Sequence, residues 1–389
     1  MADLICERCG NSDPRLFAYR KGKPYCRACL SFSGRQADKT YRVKEGIRLS
    51  LSYPLSPRQE ACAQKALSLL ESGKDVLIHA VTGAGKTELV YPAMARYLEM
   101  GLHVGFATPR RDVVIDLLPR IQEAFPMAEV IAVYGGHTQK LEGDIIVLTA
   151  HQLYRYEAYF DLLIFDEIDA FPYRGDKMLN RFYLKSIRGK SILLSATPSM
   201  SDIHDIESKG GVVLDLFERY HGGKLPLPQA IICHSLLLHE RCLDLLSKLL
   251  DQEKPVFVFV PTIAQGRTLF AYLSFFLDGG GFVSSKETGR QQDIALFKAG
   301  RLRYLVTTSI LERGVTVKAL QVIVFDSANP IFDAKALVQI AGRVGRKQDC
   351  RDGEVYFLSD VFSSEMKEAI DEIRNCNRKA FVPVLPKTV

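Results

Sequence analysis

DVLIHAVTGAGKTELVYPAMARYLEM, residues 75–100, reads as a strand, a tight loop and a helix in direct succession. The run VLIHAV is apolar but for His79, as suits a strand buried on both faces. TGAGKT fits a phosphate-binding loop, in which backbone N–H groups and a helix N-terminus wrap phosphates. Thr82, Gly83, Ala84 and Gly85 would supply the cradle, with Gly83 and Gly85 at its two sharpest positions. Lys86 would reach the terminal phosphates of ATP, and Thr87 would hold Mg²⁺. The pattern asks for glycine where this chain has Ala80. That residue is small and ends the strand, so it need not block the loop. Alone, the motif could still be an accidental turn.

Further apolar runs follow at 103–108, 129–134, 144–150, 162–167 and 191–197, and several are separated by segments of helical period such as DVVIDLLPRIQEAF (112–125). Strands alternating with helices imply a parallel sheet covered on both faces. The pattern pauses at RYHGGKLPLPQ (219–229) and resumes with runs at 255–261, 303–309, 321–328 and 354–359. The expected architecture is α/β, with two tandem parallel-sheet domains over residues 51–218 and 219–389. A small module and linker over residues 1–50 precede them, residues 30–55 reading as the polar, basic connection.

A second acidic site strengthens the first. LLIFDEID is an apolar strand ending in Asp166 and Glu167, about 80 residues beyond the loop. Two carboxylates beside a triphosphate repel it unless a cation lies between. Asp166 would hold the Mg²⁺, and Glu167 would polarise an attacking water.

Of the nine cysteines, four form Cys6-x2-Cys9-x16-Cys26-x2-Cys29. This spacing suits a four-thiolate Zn²⁺ site, with a redox pair or chance spacing as the alternatives. Four thiolates complete a tetrahedron, so the metal would be structural and not catalytic. Net charge is +6, and it is unevenly placed: residues 1–50 carry 11 Lys/Arg against 5 Asp/Glu, leaving 40 of each sign in the rest. This basic arm also holds Phe17, Tyr19, Tyr25, Phe32 and Tyr41. Cations interleaved with aromatic rings suit a nucleic-acid strand, although a solvated basic surface has the same composition. No apolar run is long enough to cross a membrane, and MADLICERCG lacks the features of a signal peptide, so a cytoplasmic protein is expected.

Taken in order, the segments resemble the motor core of superfamily 2 helicases and translocases. They are SPRQ (56–59), AVTGAGKTE (80–88), TPR (108–110), TAHQL (149–153), DEID (166–169), SATPS (195–199), VFVPT (258–262), TTSILERGVT (307–316) and QIAGRVGR (339–346). The resemblance covers residues 55–360 and implies two RecA-like domains with ATP between them. In that family alanine commonly opens the phosphate loop. The resemblance also implies that Gln59 reads adenine, that Glu88 and Gly314 adjoin the nucleotide, and that Arg343 and Arg346 neutralise charge on the γ-phosphate. Spaced three apart, these two arginines would share one side of a helix. Thr108, Arg110, Thr149, His151, Thr262 and Thr307 become strand-facing candidates, most of them short polar groups that track a backbone without reading bases. His151 reads equally well as a histidine satisfied in a buried loop. Ser195 and Thr197 could relay nucleotide state. Thr316 stands where many relatives carry Asp, which puts that ribose or coupling contact in doubt.

The cysteine module together with DEIDAFPY, RYHGGKLPLP, FVSS, ILERGVT and QIAGRVGR is similar to the ComFA family of competence ATPases nearly end to end. This likeness implies translocation of single-stranded DNA during uptake by transformable Gram-positive bacteria. It also implies partners at the membrane DNA channel, a late competence partner protein, and a place at the inner face of the membrane. A replication-restart helicase and an ATP-gated nucleic-acid clamp are the other readings. The former usually carries its zinc segment inside the motor rather than before it.

Overall fold

The apolar runs become parallel strands. The computed structural model describes residues 4–284, 289–308 and 317–380. A short antiparallel hairpin comes first, β1 (Phe17–Arg20) with β2 (Lys23–Cys26). Seven strands follow: β3 (Val76–Ala80), β4 (Val104–Thr108), β5 (Val130–Val133), β6 (Ile145–Thr149), β7 (Phe160–Asp166), β8 (Ile187–Ser195) and β9 (Val212–Leu216). They form one sheet in the order β5-β6-β4-β7-β8-β3-β9, every pairing parallel. Six more make a second parallel sheet: β10 (Gln229–Ile232), β11 (Val256–Phe259), β12 (Gly280–Val283), β13 (Tyr304–Thr307), β14 (Gln321–Phe325) and β15 (Val355–Ser359). Its order is β10-β15-β14-β11-β13-β12.

The chain divides into two compact units. One comprises Met1–Ala80 with Lys86–Leu216, the other Phe217–Val389 with the loop Val81–Gly85. Every residue of β4, β6, β11 and β14 is buried, as the continuous apolar runs require. Because the strands of each sheet are parallel, all their C-terminal ends share one edge, where open α/β sheets place their sites. In the first unit that edge carries Ala80, Thr108, Thr149, Asp166 and Ser195.

Local chemistry starts the helices. Ser56 and Gln59 form a reciprocal capping box for Pro57–Glu71, Asp176 caps Lys177–Ser186, and Ser199 with Asp202 begins Met200–Ser208. The helix Lys86–Leu89 stops at Val90, and Tyr91–Glu99 restarts with Pro92 in its first turn. The proline ring forbids an unbroken i to i−4 ladder there.

Residues 30–55 carry no regular element but lie along the first unit. Ala37 N–H donates to the Arg155 carbonyl at 2.9 Å, the Arg155 guanidinium donates to the Arg35 carbonyl at 2.7 Å, and Ile47 is wholly buried. Cys9, Cys26, Cys29 and Ala37 share one buried cluster with Leu153, Phe182 and Tyr183 of this unit. No helix among the described residues is long and apolar enough to cross a membrane.

Candidate nucleotide and nucleic-acid sites

The phosphate loop has the expected backbone. Gly83 and Gly85 take φ of 81° and 72°, the left-handed region that favours glycine, while Ala80 ends β3 without positive φ. An alanine methyl is therefore no obstacle at the strand end, and it is buried. The Lys86 ammonium donates to the Ala80 carbonyl at 2.9 Å, which folds it back over its own loop. Thr82 and Thr87 are buried. Glu88, expected near nucleotide, pairs with Arg120 at 2.7 Å. Gln59 is buried, and its carbonyl oxygen accepts from Ser56 N–H at 2.8 Å.

At the end of β7, Asp166 is buried and its carboxylate accepts from Glu167 N–H at 2.9 Å. Glu167 adopts a φ of 59°, which a non-glycine residue holds only where surroundings enforce it. Three residues on, Asp169 is buried and accepts from Ser195 Oγ at 2.8 Å and Thr197 Oγ1 at 2.9 Å. Thr197 N–H returns to Ser195 Oγ at 3.1 Å. The sequence singled out Ser195 and Thr197 but gave Asp169 no role. β8 pairs β7 on one side and β3 on the other, so the acidic strand end and Ala80 flank the strand ending in Ser195. Lys86, Thr87, Asp166 and Glu167 thus combine a cationic loop with an acidic strand end, a donor set suited to a nucleoside triphosphate and Mg²⁺.

In the second unit, Thr262 caps the helix Ile263–Phe276 through its hydroxyl, which accepts from Gln265 N–H at 3.2 Å. Thr307 ends β13 and is fully buried. The helix Ala334–Ala341 stops with Gly342 as its C-cap. Arg343 and Arg346 therefore lie past the helix, Arg343 in a turn and Arg346 just after it, and not on one helical face as their spacing suggested. Gly345, at φ 68°, makes the turn between them. Gly314 and Thr316 lie outside the described residues.

Thr108 and Thr149 are direct neighbours across β4 and β6, and both are buried. The Thr108 hydroxyl has no hydrogen-bond partner among the described residues. Arg110 occupies the N-cap position of the helix Arg111–Ala124 and is half-buried. His151 lies in a short 3-10 turn, Ala150–Arg155, where burial lowers its imidazole pKa. Phe32, three residues past the last cysteine, stacks on it with ring centroids 6.4 Å apart and planes 7° from parallel. Phe32 also meets Tyr154 and Phe182 at 5.4 and 5.0 Å. The turn that holds His151 and the cysteine module are thus packed together.

The four cysteine sulfurs all lie within 4.8 Å of one another, with Cys6–Cys29 at 3.8 Å and Cys9–Cys26 at 3.7 Å. A tetrahedron with Zn–S bonds of about 2.3 Å has edges of about 3.8 Å, so the cluster fits zinc. The hairpin between the pairs turns at Lys21 and Gly22, both with positive φ (49° and 75°). It presents Tyr19, Arg20, Lys21, Lys23 and Tyr25 to solvent.

These features define a helicase-type ATPase of superfamily 2. Residues 56–206 match the DEAD/DEAH box helicase family, and residues 240–348 match the helicase conserved C-terminal domain. Solved structures agree on the fold. S. cerevisiae Dbp5 bound to RNA and ADP BeF3 gives a TM-score of 0.60 at 15% identity, covering 83% of this chain and 91% of that one. Mycobacterium smegmatis helicase Lhr bound to ssDNA and AMP-PNP gives 0.61 at 18%, covering 83% and 50%. Both parallel sheets are therefore RecA-like domains.

Sequence relatives narrow the class. Competence protein ComFA of Bacillus subtilis (strain 168) is 33% identical over 96% of this chain and 86% of its own. The Streptococcus pneumoniae R6 protein of that name is 32% identical over 97% and 91%. Replication restart protein PriA of Rickettsia conorii matches at 26% over 58% of this chain and 38% of its own. The chain belongs to the ComFA family of competence proteins.

Proposed function

We propose that the protein is an ATP-driven translocase that moves single-stranded DNA during uptake in natural transformation. The observation that carries this reading is the Asp169 carboxylate, shared by the hydroxyls of Ser195 and Thr197 one turn beyond the acidic strand end. A motor needs a mechanical link from its hydrolytic residues to its strand-binding residues, and this buried network beside Asp166 and Glu167 would form the first part of one.

In the proposed cycle Lys86 leaves the Ala80 carbonyl for the phosphates. Thr87 and Asp166 would hold Mg²⁺, whose charge neutralises the phosphate oxygens. Glu167 orients the attacking water, and Arg343 and Arg346 neutralise the charge that develops on transfer. Gln59 would address the adenine, with Thr82, Gly83, Ala84, Gly85, Glu88 and Gly314 around the nucleotide. Thr108, Arg110, Thr149, His151, Thr262 and Thr307 would line the strand path. The orphaned Thr108 hydroxyl supports this, since a buried polar group otherwise goes unsatisfied at a cost of about 1–3 kcal/mol.

Zn²⁺ would hold the N-terminal module, and its hairpin would add an electrostatic grip. Arg20, Lys21 and Lys23 make no ion pair among the described residues, and exposed Tyr19 and Tyr25 give stacking surfaces. The family relationship supports competence partners at the membrane channel and a late competence protein, with the chain at the inner membrane face. The test is ATP turnover with and without single-stranded DNA: stimulation supports the reading, and an equal rate in both contradicts it.

A further inference from the structure

RYHGGKLPLPQ is the pause between the two sheets, and its first three residues have a specific occupation inside the second unit. Arg219 is 1% exposed. Its guanidinium donates to the carbonyls of Val344 and Gly345, both at 2.8 Å, and of Gly342 at 3.1 Å. The Tyr220 hydroxyl donates to the Arg346 carbonyl at 3.1 Å. His221 Nδ1 accepts from Gly223 N–H at 3.1 Å, which leaves Nε2 to donate to the Gly345 carbonyl at 2.9 Å. Three consecutive side chains thus hold four of the five carbonyls between Gly342 and Arg346.

This is the stretch that the helix does not hold. The helix Ala334–Ala341 ends at Gly342, and within the stretch only Arg346 Nε reaches back, to the Gly342 carbonyl at 3.1 Å, so the remaining carbonyls need donors from elsewhere. Gly345 cannot be replaced to stiffen the turn, because a Cβ there would fall 2.1 Å from the Arg351 carbonyl. Arg219 is an expensive donor. Among the described residues no carboxylate lies within ion-pair range of it, and burial together with the like charge of Arg346 lowers its pKa to about 9. A packing role could be filled by an apolar side chain of similar size, whereas a fork reaching three carbonyls requires a guanidinium.

We infer that Arg219, Tyr220 and His221 are positioning residues for ATP hydrolysis: they fix the backbone of Gly342–Arg346 and so the direction in which Arg346 presents its guanidinium. The inference rests on Arg346 as a charge-neutralising residue. None of the three need touch nucleotide. Misplacing a catalytic group by about 1 Å can cost on the order of 100-fold in rate, so the latch is expected to act on kcat.

A double-mutant cycle on the full-length chain tests it. Arg219→Lys keeps the charge but loses the fork, and Tyr220→Phe removes only the hydroxyl bonded to Arg346. Each is measured for kcat and for affinity toward a fluorescent ATP analogue, alone and combined with Arg346→Ala. The expected result is a kcat loss of about 10-fold or more for Arg219→Lys, a smaller loss for Tyr220→Phe, and affinity changed less than about twofold. In the Arg346→Ala background, neither substitution should lower kcat further. The same fold-loss in both backgrounds would overturn the latch, as would weakened nucleotide affinity at unchanged kcat. If Arg219→Lys does not fold, Tyr220→Phe decides the question by the same comparison. Full turnover in Arg346→Ala alone would overturn the underlying role of Arg346, a separate result.

Discussion

Ser195 donates its hydroxyl to the Asp169 carboxylate at 2.8 Å, with both side chains buried, and so ties the end of β8 to the turn after β7. Thr197 adds a second donor to the same carboxylate. Replacing both by Ser195→Ala and Thr197→Val leaves Lys86, Asp166 and Glu167 in place but removes these two donors from Asp169. Basal ATP hydrolysis is expected to persist while DNA stimulation disappears. Stimulation of normal size in this double variant would show that the network does not transmit.

Hydrolysis itself is expected to depend on the loop and the acidic strand end. Lys86→Ala and Glu167→Gln are each expected to abolish Mg²⁺-dependent ATP turnover. Arg346→Ala should retain nucleotide binding and lose roughly 10³-fold in rate, the scale of an arginine finger. Full turnover in either of the first two variants would remove those residues from the site.

Zinc should be present at one ion per chain and be released by Cys6→Ser with Cys9→Ser. Cys9, Cys26 and Cys29 pack with Phe182 and Tyr183, and Phe32 stacks on His151. Metal loss is therefore expected to reduce DNA stimulation more than basal turnover, because the seven-stranded sheet keeps its own core. Metal analysis that finds zinc retained by the double variant would exclude these ligands.

The hairpin is expected to supply a salt-dependent grip on DNA. Replacing Arg20, Lys21 and Lys23 together by alanine should weaken single-strand binding and flatten its dependence on salt. The logarithmic slope should fall by about 0.7 for each DNA phosphate that the variant no longer neutralises. An unchanged slope would assign the hairpin to another partner.

One charge pair anchors the strand that ends in Asp166. Burial pushes the Asp161 carboxyl up, but hydrogen bonds from His103 and Arg188 outweigh it and hold it below the ordinary carboxylate range. A depressed pKa contributes stability that is complete above the unfolded value of about 4 and lost as pH falls through the folded one. Arg188→Ala should therefore be less stable than the parent at pH 7, and the difference should shrink below about pH 4. A gap that stays constant through this range would mean that Arg188 stabilises by packing alone.

Much of this was legible in the residues. The apolar runs that became β3, β4, β6, β7, β11 and β14 are buried on both faces, so nothing interrupts their pattern. β12 was not legible because it begins with two glycines, which depress strand propensity. They are there because a Cβ at Gly280 would fall 2.2 Å from the Tyr304 ring and one at Gly281 would fall 2.7 Å from Leu305. β8 begins four residues before its apolar run, in the polar IRGK, where Gly189 lies against the Asp161 carbonyl. β9 is a half-exposed edge strand with too short a run to stand out. At the site, the spacing of Lys86, Asp166 and Glu167 was plain. The spacing of Arg343 and Arg346 suggested a helix that Gly342 and Gly345 end. The partners of Asp169 and Arg219 come from distant segments, and only folding brings them together.

Movement along a strand is measured by directional displacement of a block. Streptavidin is bound to a biotin at either the 5′ or the 3′ end of a single-stranded DNA, and its release is followed with ATP, without ATP, and with Lys86→Ala. A translocase releases streptavidin in an ATP-dependent manner from one end much faster than from the other, and Lys86→Ala releases none. Tight binding and steady ATP turnover with no release from either end would contradict movement along the strand and identify a clamp.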